Sequence, residues 1–354
     1  MVPAGRPFVI SGPCAAETET QVLETARLLA ADGRVDYFRA GVWKPRTMPG
    51  SFEGNGQSAL PWLQRVQRET GLRVIIEVAK PAHVEAALEA GMDAFWIGAR
   101  TTVNPFLVQE LADALRGTDL PVFVKNPINP DAKLWAGAVE RIRKAGITSI
   151  GLIHRGFSHY GRTEYRNPPH WQIPIQMMVE YPDSIMLCDP SHIGGRRDLI
   201  FEIAQKALNL NFDGIMVEVH PQPAKALSDA SQQLTPKAFA DVLDRLILRK
   251  DFQDDERIQQ ELGVMRSDID DLDAELVRLL AKRMELVAHI GRFKKANGIT
   301  ILQRKRWEQI MKRFLEMSAQ LGLREDFARQ IITRIHEESI KRQEEIFGQL
   351  KIKN

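Results

Sequence analysis

The sequence predicts an α/β protein: a (β/α)8 TIM barrel over residues 1–248, a charged linker at 249–261 and an all-α domain of three helices over 262–354. Three observations carry this. Eight short apolar runs alternate with amphipathic segments across the first part of the chain. Polar residues recur at the C-terminal end of every run, where barrel enzymes build their sites. Past about residue 261 the runs stop and a helical period takes over.

The runs fall at 8–11, 37–40, 73–78, 94–98, 121–125, 149–153, 184–188 and 214–219. Amphipathic segments such as 21–32, 81–90, 105–115 and 135–145 lie between them. A doubly wound open sheet is the alternative. It has fewer strands and a glycine-rich dinucleotide turn after the first, and Ser11-Gly12-Pro13-Cys14 is not such a turn.

The second run leads into YFRAGVWKPRT, residues 37–47. Gly41 and Pro45 break it into a loop that carries Arg39, Lys44 and Arg46 and ends in the Thr47 hydroxyl. Cations clustered where an apolar strand ends are costly to bury unless anions meet them. The stretch therefore reads as the floor of a site for anionic, phosphorylated small molecules; a solvated basic turn is the plain alternative. The other strand ends add Cys14, Glu77, Arg100, Lys125, His154, Arg155, Asp189, His192, Glu218 and His220. One charge at a strand end is commonly a surface residue; the same at all eight is hard to reach by accident.

Leu234-Thr235-Pro236 marks the start of a helix that closes the barrel. Residues 250–260 are charged and apolar-poor, a linker or the exposed start of a helix. Leu262, Met265, Ile269, Leu272, Leu276, Leu279, Leu280, Met284, Val287 and Ile290 then keep helical spacing, and Ala296-Asn297-Gly298 ends that helix. Two more helices follow, near 303–321 and 325–350. The first is too long for a compact monomer, so a second chain is expected to complete the bundle.

Composition narrows the function. Apolar residues make up 44% and charged residues 27%, as in ordinary globular proteins. A net charge of +2 gives nucleic acid no bulk attraction. Two cysteines make no disulfide framework and suit a reducing cytoplasm. There is no signal-peptide pattern, and no run reaches the ~20 apolar residues of a membrane helix. The first strand begins close to Met1, so no regulatory domain is expected ahead of it.

Cys14, His192, Glu218 and Asp229 sit at or just beyond strands one, seven and eight. A thiolate, an imidazole and two carboxylates suit a divalent first-row metal of the Mn, Fe, Co or Zn class. Taken singly, Cys14 reads as a small buried hydrophobe and Asp229 as a helix cap.

Several motifs together make the resemblance specific: Gly12-Pro13-Cys14, Arg39-Ala40-Gly41, Lys44-Pro45-Arg46-Thr47, Gly98-Ala99-Arg100, Val124-Lys125-Asn126-Pro127, His154-Arg155-Gly156, Asp189-Pro190-Ser191-His192 and Glu218-Val219-His220. The barrel resembles 3-deoxy-D-arabino-heptulosonate 7-phosphate (DAHP) synthases of the short type I-beta kind. That family joins phosphoenolpyruvate to erythrose 4-phosphate and releases phosphate, opening the shikimate pathway of aromatic amino acid biosynthesis. The resemblance implies one divalent metal per barrel, on Cys14, His192, Glu218 and Asp229, and no organic cofactor. It implies Arg39, Lys44 and Lys125 around the phosphoenolpyruvate carboxylate, Arg100, Arg155 and the Ala99 backbone at its phosphate, and Arg46 with Thr47 at the phosphate of erythrose 4-phosphate. Glu77 and Asp189 lie among these substrate-binding groups, and Lys44 is expected to protonate the former aldehyde oxygen. The alternative is the sister enzyme making 3-deoxy-D-manno-octulosonate 8-phosphate from arabinose 5-phosphate, with the helices as a dimerisation module. That enzyme carries Lys-Ala-Asn-Arg-Ser where this chain has Lys44-Pro45-Arg46-Thr47.

The helical domain resembles all-helical chorismate mutases through the run Met265 to Asp273 (MRSDIDDLD), Leu279-Leu280-Ala281-Lys282-Arg283 and Ile290-Gly291-Arg292-Phe293-Lys294. Arg306 falls where that family opens its second helix, and Ser339 and Gln343 match its late polar pair. A charged coiled-coil module would share the leucine period. However, Arg283 and Lys294 stand eleven residues apart, near three whole helical turns, and Arg266, seventeen before Arg283, falls about a quarter turn aside, so the three lie within or beside the apolar stripe. The resemblance implies that Arg283 and a partner-supplied Arg266 grip the two carboxylates of chorismate, and that Lys294 and Gln343 donate to its ether oxygen. Gln303 and Trp307 depart from the family, which often has Asp and Glu there contacting the substrate hydroxyl. The joint reading is a cytoplasmic bifunctional enzyme, a metal-dependent transferase and an isomerase, with chorismate or prephenate as a feedback ligand. It is a homodimer through its helices, with further pairing left open, and has no nucleic-acid or membrane partner.

Overall fold

A computed structural model of the chain describes residues 3–44, 50, 52–161, 163–249 and 255–348. Arg46 and Thr47 of the basic loop lie outside the described residues. The chain divides into two compact units, Met1–Lys250 and Asp251–Asn354.

The first unit is a closed, all-parallel barrel of eight strands in sequence order. These are β1 Phe8–Gly12, β2 Tyr37–Arg39, β3 Arg73–Val78, β4 Ala94–Ile97, β5 Val122–Lys125, β6 Ile150–His154, β7 Ile185–Cys188 and β8 Gly214–Glu218. Pairing of Phe8 with Gly214 through Gly12 with Glu218 shuts the cylinder. Each strand lies within one residue of its expected bounds. Pro121 falls outside β5 because it has no N–H to give a ladder.

Helices α1 Glu19–Asp32, α2 Leu60–Thr70, α3 Pro81–Glu89, α4 Ala99–Thr102, α5 Pro105–Leu115, α6 Ala132–Lys144, α7 Gln172–Glu180, α8 Pro190–Gly194, α9 Ile200–Asn209 and α10 Pro236–Arg245 follow the strands. Their starts are set locally. The Thr18, Asn104, Asp131 and Thr235 side chains accept from backbone N–H groups of the first turn. Pro105 and Pro236 add the fixed φ that suits a first turn.

The pleat divides the core in two. Phe8, Ile10, Tyr37, Ile75, Trp96, Phe123, Ile153, Leu187 and Met216 fill the barrel interior. Their neighbours, such as Val9, Val74, Phe95, Val124 and Val217, face the helices. Each large side chain so buried contributes about 2–3 kcal/mol. The filled interior forces polar side chains to the C-terminal mouth.

The second unit consists of α11 Glu256–Ala296, α12 Arg304–Gln320 and α13 Glu325–Gly348. α11 starts at Glu256, so of the two readings of the charged stretch, linker or exposed start of a helix, residues 256–261 take the second and form its opening turns. Asp255 caps it by accepting from the N–H groups of Arg257 and Ile258, and Arg257 pairs with Glu261 four residues on. Capping and i,i+4 pairing support these opening turns, which lack an apolar stripe. Met265, Ile269, Leu272, Leu276, Leu279, Leu286, Ile290 and Phe293 recur every three or four residues on α11, with one gap of seven between Leu279 and Leu286, and each is at least half exposed. Arg283 sits in the same stripe.

Candidate functional site

At the barrel mouth, backbone geometry comes first. Gly12 ends β1 at φ +151°, and a Cβ there would lie 2.1 Å from the Arg39 carbonyl oxygen. A side chain would push β2 away and take Arg39 with it. Gly98 has the same role for β4: a Cβ would meet Glu77 Oε1 at 1.9 Å. Glu77 is held there by the Trp96 indole N–H, 3.2 Å from Oε2.

Cys14, Glu218 and Asp229 gather so that one ligand atom from each lies within 4.8 Å of the others. His192 is outside that group of three, although its Nε2 is 3.7 Å from Glu218 Oε1. Its Nδ1 is 2.8 Å from Asp189 Oδ2, a close approach without an aligned hydrogen bond. Asp229 adopts φ +48°, uncommon outside glycine, and so aims its carboxylate at Cys14, 3.3 Å from Oδ2 to Sγ. Burial, and then Glu218, pushes the Cys14 thiol up to about 12. Lys44 Nζ lies against both the Cys14 sulfur and its carbonyl oxygen, and 4.0 Å from Asp229. Glu218 Oε1 is buried and makes no hydrogen bond. A soft thiol and two carboxylates, one of them with an unmet oxygen, around one point fit a divalent cation.

The cations beside this cluster are buried. Arg39 is 3% exposed, with Nη2 3.2 Å from Glu218 Oε1 and its face 5.0 Å from the Trp96 ring centroid. Its Nε and Nη1 are buried without a hydrogen-bond partner. Lys125 Nζ donates to Asp189 Oδ2 at 2.7 Å. Burial works against ionised Asp189, yet His192 and Lys125 hold its carboxyl well below the usual range. Arg155 donates to Asn167 Oδ1 at 2.9 Å. Burial, with the charges of Arg166 and Arg100, pulls its guanidinium down to about 10. An arginine made less basic by neighbouring cations marks a place where an anion is wanted.

In the helical unit, Arg283 Nη1 donates to Ser339 Oγ at 2.6 Å, and the Ser339 hydroxyl donates to the Ile335 carbonyl. Gln343 donates to the Ser339 carbonyl at 3.1 Å, and its own Oε1 is buried with no partner. Lys294 donates to the Ile301 carbonyl. Burial lowers the pKa of both Arg283 and Lys294. Arg266, Gln303 and Arg306 are exposed.

The model of the DAHP synthetase I family matches residues 4–254. The chain belongs to that family. The model of chorismate mutase type II matches residues 265–344. The chain therefore carries a DAHP synthase domain and a chorismate mutase domain and is a bifunctional enzyme. A phospho-2-dehydro-3-deoxyheptonate aldolase of Thermotoga maritima is 32% identical over 238 residues, 67% of this chain and 68% of its own length. A 2-dehydro-3-deoxyphosphooctonate aldolase of Nitratidesulfovibrio vulgaris is 31% identical over 242 residues, 64% of this chain and 85% of its own. Among solved structures, a DAHP synthase from Thermotoga maritima superposes with TM-score 0.62 at 32% identity, covering 69% of either chain. A truncated 3-deoxy-D-arabino-heptulosonate 7-phosphate synthase from the same organism gives 0.59 at 29%, covering 69% of this chain and 86% of its own.

In the DAHP synthase domain, supporting residues emerge whose roles the sequence does not mark. Arg166 donates to Asp229 Oδ1 at 3.0 Å and to Gln232 Oε1 at 2.7 Å. Gln232 in turn donates to Glu218 Oε2 at 2.8 Å. Gln233 Oε1 accepts from the Cys14 N–H at 3.0 Å. Asn126 Oδ1 accepts from the Arg155 N–H at 2.7 Å. The amides are neutral and act across long sequence separations, so no local pattern marks them. The adjacent Gln232-Gln233 pair, following Asp229, was the available signal.

Proposed function

We propose that the barrel condenses phosphoenolpyruvate with erythrose 4-phosphate to give DAHP and phosphate, and that the helical domain rearranges chorismate to prephenate. The observation that carries the first reading is the buried cation set at one mouth: Arg39 with unmet N–H groups, Lys125, and an Arg155 depressed by its neighbours. Phosphoenolpyruvate holds a carboxylate and a phosphate close together and needs several fixed cations. Arg39, Lys44 and Lys125 take the carboxylate; Arg100, Arg155 and the Ala99 N–H take the phosphate. Arg46 and Thr47 take the phosphate of the four-carbon sugar. Glu77 and Asp189 offset the mutual repulsion of these cations.

A divalent metal held by Cys14, Glu218, Asp229 and His192 supplies a Lewis acid toward the aldehyde oxygen when bound. The remaining chemistry needs positioned groups of this chain. The cation set holds the enol carbon against the aldehyde carbon while the new carbon–carbon bond forms. Lys44 gives a proton to the former aldehyde oxygen. Burial works against its ammonium, but Cys14, Glu218 and Asp229 raise its pKa, so the proton is present at neutral pH. Water adds at the cationic carbon, and phosphate leaves with its bridging oxygen, released from Arg100 and Arg155.

For chorismate, Arg283 and Arg266 of the partner subunit hold the carboxylates, and Lys294 and Gln343 donate to the ether oxygen as negative charge grows there. The exposed α11 stripe, with Arg283 inside it, supports a homodimer in which a second copy covers the stripe. We also take the mutase site to be the feedback sensor, its ligand favouring one of two domain arrangements. Two free cysteines suit a reducing cytoplasm. Among the described residues no helix is long and apolar enough to cross a membrane.

Substrate choice tests the first reading. Product should form from phosphoenolpyruvate with erythrose 4-phosphate, and slowly or not at all with arabinose 5-phosphate; the reverse preference makes the barrel an octulosonate synthase. For the sensor, prephenate should lower DAHP formation, and kinetics indifferent to prephenate at any concentration would remove it.

A further inference from the structure

The mutase site has an odd wall. By the resemblance to chorismate mutases, Gln303 and Trp307 stand where carboxylates would receive the substrate hydroxyl, and an indole offers no acceptor for it. Trp307 instead stacks on His336, with ring centroids 3.8 Å apart and planes 8° from parallel. His336 lies three residues before Ser339 and seven before Gln343, so the three share one face of α13. Its Nε2 is buried and meets no hydrogen-bond partner. Gln343 Oε1 on the same face is likewise buried and unmet. Unmet buried polar atoms are rare, and two on one helix face beside Arg283 and Lys294 point to a ligand that completes them.

Resting on the mutase reading, we propose that His336 is a substrate-binding residue. Its Nε2 accepts a hydrogen bond from the ring hydroxyl of chorismate and so stands in for the missing carboxylates. Trp307 is the positioning residue: the stack fixes the plane of the imidazole and leaves only its edge to aim at the ligand. Neutrality of the ring matters, because a third cation beside Arg283 and Lys294 would repel both and could not accept. Burial, followed by those two charges, lowers the His336 pKa and keeps it neutral. Stacking has a second consequence. Phe could keep the stack without the acceptor, and Gln could keep an acceptor without the stack, so the two roles separate by substitution.

The test uses the full-length protein with chorismate and with a chorismate analogue lacking the ring hydroxyl. Wild type should turn over the analogue with kcat/KM about tenfold below that for chorismate, the effect of one lost hydrogen bond. His336→Phe should lose about tenfold with chorismate and treat the two substrates alike, while His336→Gln should restore part of the preference. The ratio is internal to each protein, so altered folding does not mimic the result. A His336→Phe variant that still prefers the hydroxylated substrate as strongly as wild type overturns the assignment, as does an active wild type with no preference. If wild type fails to convert chorismate at all, the mutase reading falls and this assignment falls with it.

Discussion

Arg39 and Glu218 form a pair sealed from solvent, 3.2 Å from Nη2 to Oε1, with exposures of 3% and 0%. They come from strands that β1 separates, so the pair reaches across the barrel mouth. The approach is charge against charge without an aligned hydrogen bond, since Glu218 Oε1 makes none. Two buried ions cost much to desolvate, and the pair persists because each neutralises the other. Arg39→Met should therefore destabilise the barrel by about 3 kcal/mol by stranding the carboxylate. Adding Glu218→Gln should recover much of that loss, because the two changes act on one interaction. Urea unfolding of the two variants measures both. A single variant within 0.5 kcal/mol of wild type would mean that His192 and Lys44 alone balance Glu218.

His154 makes a pH prediction. It lies fully buried among Trp135, Phe157, Trp171 and Phe212. Burial, and then Arg155, pulls its pKa down from 6.5 to about 3. Between those values the unfolded chain binds a proton that the folded chain refuses. Stability from this group is thus complete above pH 6.5 and declines as pH falls toward 3. The slope is about 1.4 kcal/mol per pH unit for one proton. His154→Phe should flatten the stability curve between pH 6 and 4.5, roughly the middle of that window. The carboxylates at the mouth act in a lower window. The folded pKa values of Glu218, Asp189 and Asp229 are depressed, so their contribution holds above about pH 4 and fades below it. If the curves of wild type and His154→Phe run parallel between pH 6 and 4.5, roughly the same window, the imidazole is protonated or solvated in the folded state.

Assembly through α11 predicts a linked loss. Leu276 is 54% exposed in the middle of the stripe. Leu276→Glu places a charge where the second copy is expected, and light scattering should report monomer. Chorismate turnover should drop by at least about 100-fold, because Arg266 of the partner subunit is withdrawn with one oriented charge at the substrate. A monomer that still turns over chorismate would show that one chain makes the whole site.

Lys44 lies between the sulfur of Cys14 and the carboxylate of Asp229, 11% exposed. Lys44→Met keeps the stem of the side chain, one atom shorter, and removes the proton. DAHP formation should fall by roughly 100- to 10,000-fold, the range of a positioned acid. Metal content, measured separately by elemental analysis, should stay near one per barrel. Near-normal turnover would dispose of the role.

Much of this was legible in the sequence because the signal is local. Apolar runs such as Phe8–Gly12 and Gly214–Glu218 announce buried parallel strands, and Thr235-Pro236 announces a helix start. What the chain hides is support at a distance. Gln232 and Glu218 are 14 apart, Arg166 and Asp229 63, and Cys14 and Gln233 219. A neutral amide that orients a charge carries no pattern of its own. The opening turns of α11 were ambiguous between linker and helix for another reason: residues 256–261 are held by a cap and a charge pair, not by apolar spacing.

The most direct measurement is phosphate release from phosphoenolpyruvate on addition of erythrose 4-phosphate, followed before chelation, after chelation and after Mn²⁺ is returned. Release should need both substrates, stop in the chelated enzyme and resume with metal, and Cys14→Ala should fail to resume. A chelated enzyme that releases phosphate at its untreated rate would contradict a metal-centred barrel mouth.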